Sequence, residues 1–425
     1  LETLLYMLSG MVDTLMLSSV NDQAVGAVGT ANTYIGIFII MFSVISSGMV
    51  AVMTQNIGAG RPGVAYQARQ LGLAFNAVLG VIMSLFLSLG AGTILSGVGV
   101  ADALMQPAKT YLQIVGGFCI LNALIPICSS YLRAFGFSKE PLYASIIGNV
   151  INFCLNAFFL FVLHKGVAGV ATATVISRII NLVIVVLLGA VLVKAKQHPE
   201  RESNRAVMGQ IIRIGLPSAC ETAIYNVSMT LVIRFLNQMD AQGLNVTARS
   251  YTMQITNFSY CVGAALAQAN AIMTGWHIGA KEYDACDRGT KKAAVIGVIV
   301  AVILETVFTL CSGWIMQLFS KDPQMVSLVG KLLAIDIVLE IGRVTNLVYG
   351  QALKTSGDAV FPVVMGACFM ILCSVGGTYL FGIRLGLLAV GAYIGMTGDE
   401  CVRAVGMYLR WKSGKWKEKG LVKSR

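Results

Sequence analysis

Apolar runs of about 20 residues recur along the whole chain, as in "AVLGVIMSLFLSLGAGTILSG" at 77–97 and "AVIGVIVAVILETVFTLCSGW" at 294–314. Runs of that length match the hydrocarbon thickness of a bilayer when coiled as a helix. A backbone in lipid must satisfy its polar groups internally, which leaves helices or closed barrels. The short alternating segments of a barrel are absent from the sequence. The pattern therefore predicts an all-α integral membrane protein. Twelve spans are expected, at 1–19, 29–54, 70–96, 109–134, 141–163, 167–194, 211–237, 246–275, 292–319, 327–353, 361–383 and 387–409. Composition agrees: only 12% of residues are charged and 45 are glycine, and small residues let membrane helices approach closely. Leu1 already lies in the first apolar run, and we expect the true start upstream, with helix 1 shortened.

The net charge of +11 raises the question of nucleic acid, and its placement answers it. Basic residues gather in alternate loops: Arg61 and Arg69; Arg133 and Lys139; Lys194, Lys196, Arg201 and Arg205; Lys281, Arg288, Lys291 and Lys292; and Lys354. The tail "RWKSGKWKEKGLVKSR" is basic too. The intervening loops hold few cations, such as Lys109, Lys165, Lys321 and Arg384. This is the positive-inside pattern. It predicts a multi-pass cell-membrane protein with a cytoplasmic tail, and no nucleic-acid partner. The ten cysteines are scattered without a CxxC pair and read as small packing residues.

The polar stretch "KAKQHPERESNR" separates two halves that echo each other. "IGAGRPG" at 57–63 matches "IGAKEYD" at 278–284, and "LRAFGFSKEP" at 132–141 matches "LKTSGDAVFP" at 353–362, both 221 positions apart (278 − 57 and 353 − 132). We expect an amino-terminal lobe at 1–193, a cytoplasmic linker at 194–210, a carboxy-terminal lobe at 211–409 and a basic tail at 410–425. Six helices per half is an even number, so both halves enter from the same side and form a parallel repeat. Such repeats enclose a central site.

"VDT" in the first helix, "TQNIGAGR" after the second, "YLRAFGFSKEP" between the fourth and fifth, "GLP" opening the seventh and the "LKTSGDAVFP" echo together resemble the MATE (multidrug and toxic compound extrusion) transporters. The resemblance spans essentially the whole chain. It implies a V-shaped pair of six-helix lobes that export amphipathic, often cationic compounds, driven by entry of H+ or Na+. It also implies a monomer in contact with membrane lipids, with no cofactor beyond the coupling ion. A flippase for lipid-linked oligosaccharides, from the wider superfamily, is the alternative. An integral-membrane enzyme is a further alternative, but no GxxxxGK[ST], HExxH or GxSxG signature occurs in the sequence.

Candidate residues are the polar groups in apolar runs, where a mid-helix charge costs roughly 2.5–3.5 kcal/mol and by default marks a functional site. Asp13 is isolated in "SGMVDTLMLS", and the resemblance places the family's coupling carboxylate there. Asn149, Asn152 and Asn156 share one helix face. The resemblance implies a Na+ site in which Asn152, Asn156 and Thr174 join Asp13. Family members carry an acid where this chain has Asn156, so a proton on Asp13 is the simpler coupling step. In the second half, Asp336, Glu340 and Arg343 also share one face, and Glu221 lies one turn beyond Pro217. These read as coupling or substrate groups, with a static Glu340–Arg343 pair as the other reading. Gln55, Asn149, Gln254, Gln268 and Tyr225 are candidates for a wet cavity wall. Glu305 and Arg178 read as packing partners. Asp399, Glu400 and Arg403 read as interfacial pairs or a gate.

Overall fold

The computed structural model of the chain describes residues 16–17, 22–97, 100, 102–194, 198–240, 243–317, 320 and 322–422. Asp13, and nearly all of the expected first span, lie outside the described residues. Among the described residues every regular element is helical. In the first half these are α1 (Asp22–Gly58), α2 (Pro62–Gly97), α3 (Asp102–Tyr111), α4 (Ile120–Ala134), α5 (Lys139–Ala157) and α6 (Gly166–Leu192). In the second half they are α7 (Asn204–Met239), α8 (Leu244–Gly279), α9 (Tyr283–Leu310), the short α10 (Ser312–Met316), α11 (Pro323–Thr355), α12 (Val360–Phe369) and α13 (Leu388–Lys412). A π-helical turn at Leu112–Gly116 links α3 toward α4, and the resulting span is bent by 43°. Further π-helical turns extend α5 through Phe158–Val162 and α12 through Met370–Val375 and Thr378–Arg384.

Six helices among the described residues are long and apolar enough to cross a membrane, and the bent α3–α4 pair makes a seventh. The long helices α7, α8, α11 and α13 are not among them. Three of them, α8, α11 and α13, carry the buried charges Arg249, Glu340 and Asp399 with their neighbours. Such charges lower the hydropathy of a helix without excluding it from a membrane bundle.

The repeat is written into the backbone. α2 and α9 start 221 positions apart (283 − 62), as do α3 and α11 (323 − 102) and α5 and α12 (360 − 139). Left-handed residues recur with the same offset: Gly60 with Lys281, and Gly136 with Gly357. Lys281 is a non-glycine residue in this uncommon region, held where the repeat demands a turn.

The chain divides into two compact units, Leu1–Met53 with Arg61–Gly215, and Thr54–Gly60 with Leu216–Arg425. The expected linker at 194–210 needs correction. Residues 204–210 already belong to α7, and the unit boundary falls after Gly215. The preceding stretch is docked rather than free. Arg61 pairs with Glu202 at 2.6 Å, and Arg201 donates to the Gly63 carbonyl at 2.7 Å. Polar residues there reflect hydrogen bonding to the start of α2. The expected tail also differs: α13 runs on to Lys412, and a 3-10 turn follows at Lys415–Glu418.

In the first unit, Phe42, Leu87, Leu95, Leu112 and Tyr111 form the buried core. Asn76 ties its helices by donating to the carbonyls of Phe42 (3.3 Å) and Ala123 (3.1 Å). In the second unit, α11 sits against α8, α9 and α13. Val344 of α11 fills the space left by two glycines. A Cβ at Gly263 of α8 or at Gly297 of α9 would lie 2.8 or 2.7 Å from its methyls. Gly342 likewise brings α11 against the α13 backbone at Cys401. These close approaches set the helices that carry the site.

Candidate functional site

The described part of the amino-terminal candidate set lies on α5 and α6, which pack together. Asn152, Asn156 and Thr174 are all buried. Asn156 Nδ2 donates to Asn152 Oδ1 at 3.2 Å, a bond along one helix face. Thr174 Oγ1 donates back to the Val170 carbonyl at 2.9 Å. Asn149 is half-buried on the same helix as the pair. The i, i+4 contact of the asparagines is the one their spacing predicts.

In the second unit the structure gathers more charge than the sequence reading did. Asp336 and Glu340 of α11 are buried, and Glu340 is wholly inaccessible (0%). Arg343 Nη1 donates to Glu340 Oε1 one turn away, and its Nε lies 3.8 Å from Glu400 Oε1. Glu400 also accepts from Asn346 Nδ2 at 3.0 Å and pairs with Arg403 at 2.9 Å. Arg403 makes a two-pronged contact with Asp399, Nε to Oδ1 at 2.8 Å and Nη2 to Oδ2 at 2.9 Å. Ser374 completes that carboxylate's shell at 3.0 Å. The expectation of interfacial pairing for Asp399, Glu400 and Arg403 is therefore corrected, since all three are buried in the network that holds Arg343. Their i, i+4 spacing was legible. Their burial was not, because a helix end and a helix centre carry the same spacing.

Two guanidinium groups thus face four carboxylates: Arg343 acts on Asp336, Glu340 and Glu400, and Arg403 on Asp399 and Glu400. Asp336 Oδ2 and Glu340 Oε2 are buried without a hydrogen-bond partner. Glu305 of α9 belongs to the same group. It is fully buried, both its oxygens lack partners, and its neighbours are Asp336, Glu340 and Ser259. Uncompensated buried carboxylates are costly, and a bound proton or cation removes that cost.

Beside the cluster lies a cavity of about 250 Å³, wholly within the second unit. Asp336, Arg343, Asp399 and Glu400 line it together with Tyr225, Tyr260, Tyr393, Met229, Met253 and Met396. Arg343 stands 6.0 Å over the Tyr260 ring. Tyr225 is thus a wall residue. Gln254 and Gln268 are exposed on the surface of the unit and do not line the cavity. Gln55 is corrected outright. It is fully buried, its Nε2 donates to the Thr355 carbonyl at 2.6 Å, and its Oε1 accepts from Leu421 N at 2.7 Å. Glu221 pairs with Lys354 at 2.5 Å and lies within electrostatic reach of Arg403, but it does not line the cavity. One charged wall residue is not apparent from the sequence: Arg249, in the first turns of α8. A single cation near a helix start reads as a loop charge.

With this arrangement in view, the comparisons with known proteins are specific. The MatE family profile matches residues 1–158 and 217–380. The chain belongs to the MATE family of membrane transporters. It is 34% identical to "Uncharacterized transporter YisQ" of Bacillus subtilis, over 99% of this chain and 94% of that one. It is 22% identical to the "Probable multidrug resistance protein NorM" of Thermotoga maritima, over 99% and 91% of the two chains. In fold it resembles a MATE crystal structure in the straight conformation, with a TM-score of 0.88, 19% identity, and 98% and 94% of the chains covered. It likewise resembles an outward-facing multidrug resistance MATE transporter of the MOP superfamily, with a TM-score of 0.86, 18% identity, and 100% and 94% covered. As a MATE protein the chain is all-helical, multi-pass and membrane-embedded.

Proposed function

We propose that this MATE protein exports amphipathic organic compounds from the cell by alternating access, in exchange for inward movement of H+ or Na+. It resides in the cell membrane with its carboxy terminus in the cytoplasm, the orientation that its alternate basic loops favour. The observation that carries the reading is the second-unit cluster. Buried carboxylates outnumber their guanidinium partners, and Asp336 places an unpaired oxygen beside a cavity with aromatic and methionine walls.

Such walls accept varied apolar shapes. An unpaired carboxylate beside them binds either a coupling cation or a positive group on cargo. If the two prefer different conformations of the protein, each expels the other, which is what antiport requires; equal preference would couple nothing. Asp13, with Asn152, Asn156 and Thr174, is proposed as a second cation site on the strength of the family resemblance. Glu340 and Arg343 hold the charge balance around Asp336, and Glu221 serves at its own pair with Lys354.

The test is efflux of a fluorescent cationic dye from membrane vesicles under separately imposed pH and Na+ gradients. Gradient-driven efflux in the wild type, lost in Asp336→Asn with folding intact, supports the reading. Unchanged efflux in that variant rejects Asp336 as the coupling group.

A further inference from the structure

Arg249 is the group that this reading leaves unused. Three arginines line or adjoin the charged cavity, and two are committed. Arg343 holds Glu340 and reaches Glu400, while Arg403 holds Asp399 and Glu400. Arg249 makes no ion pair with any carboxylate among the described residues. It is only 6% exposed, its one hydrogen-bond contact among the described residues runs from Nη2 to the Met229 sulfur at 3.8 Å, and its Nε is buried without a partner. Arginine cannot shed its proton to escape that cost. A guanidinium removed from water, unpaired and lining a cavity is therefore short of an anion.

Nearby Asp336 does not supply one, although Tyr393 lies within electrostatic reach of both groups. Two incompletely paired charges of opposite sign instead line the cavity: Arg249, and Asp336 with its buried Oδ2. A guanidinium fork is matched best by a carboxylate, which it binds with two parallel hydrogen bonds.

We propose that Arg249 is an anion subsite for cargo, and that the compounds exported carry a carboxylate as well as a cationic centre. This rests on the export reading and narrows its substrate class from amphipathic compounds at large to zwitterionic amphiphiles. The carboxylate sits on Arg249, and the positive end faces Asp336. A purely cationic compound leaves Arg249 unsatisfied, so it binds more weakly than a zwitterion of the same shape.

A matched pair of probes tests this: a rhodamine with a free benzoate, which is zwitterionic at neutral pH, and the same rhodamine as its methyl ester, which is only cationic. Binding to the full chain in lipid nanodiscs is followed by fluorescence polarisation. Wild type binds the acid about ten-fold more tightly than the ester, as one hydrogen-bonded charge pair allows. Arg249→Gln removes that preference by weakening the acid, while the cationic ester binds no more weakly because a like charge has gone, and Arg249→Lys keeps part of the preference. A merely structural arginine would change both probes alike. Equal affinities in the wild type, a preference that persists in Arg249→Gln, or binding of neither probe overturns the subsite. Where Arg249→Gln does not fold, the acid-to-ester ratios of wild type and Arg249→Lys decide by the same criterion. Acid preference without gradient-driven efflux keeps the subsite and overturns the export reading. Efflux of the ester with no acid preference does the reverse.

Discussion

Glu340 has no contact with solvent, and Arg343, one turn away, gives it its charge partner. Breaking such a pair from one side costs more than the pair contributes, because the remaining charge stays buried. Arg343→Met is expected to lower stability by about 3–5 kcal/mol. The double change Glu340→Gln with Arg343→Met recovers most of that loss. Thermal unfolding in detergent, run as a double-mutant cycle, checks the sign of the coupling. This pair was legible in the sequence, because three-residue spacing in an apolar run leaves few geometries. Arg249 and Gln55 were not. Their meaning depends on what packs across from them: a cavity in one case, the backbone of Thr355 and Leu421 in the other. No spacing rule within one helix encodes that. Asp13 was singled out by its isolation, and it lies outside the described residues.

At the scale of elements, the close packing of α8, α9 and α11 depends on Val344 lodging against Gly263 and Gly297. Gly297→Leu would overpack this contact, with an expected cost of about 1–3 kcal/mol. Val344→Ala in the same chain makes room and restores part of the loss, and melting temperatures of the two variants test it. The carboxy-terminal segment is a second such element. Trp411 and Trp416 stack at 4.2 Å, Trp411 Nε1 donates to Asp287 at 2.9 Å, and Gln55 holds Leu421. Gln55→Ala should release the segment, so that trypsin cuts at Lys417 and Lys419 several-fold faster than in wild type. Unchanged cleavage would mean that the tryptophan stack alone holds it. Span positions were readable because hydrophobic length is a one-dimensional signal. The helical start of α7 was missed because a polar, capping-rich stretch looks the same whether it is a free linker or docked on α2.

For the whole molecule, the offset of 221 that links weak sequence echoes also links helix starts and left-handed turns. Backbone geometry preserves the repeat where side chains have diverged. That divergence leaves the two units unequal in buried charge: the second carries Asp336, Glu340 and Glu305 in its core, while the described polar face of α5 and α6 carries amides and hydroxyls. The account's central claim is that the buried second-unit carboxylates couple export to cation entry. The most direct measurement is dye efflux from proteoliposomes holding purified wild type or Asp336→Asn, under an imposed pH gradient, a Na+ gradient or neither. The account predicts that at least one gradient accelerates wild-type efflux and that Asp336→Asn, folded and still able to bind dye, does not respond to it. Wild-type rates that ignore both gradients, or an Asp336→Asn rate that follows the gradient as wild type does, would contradict it.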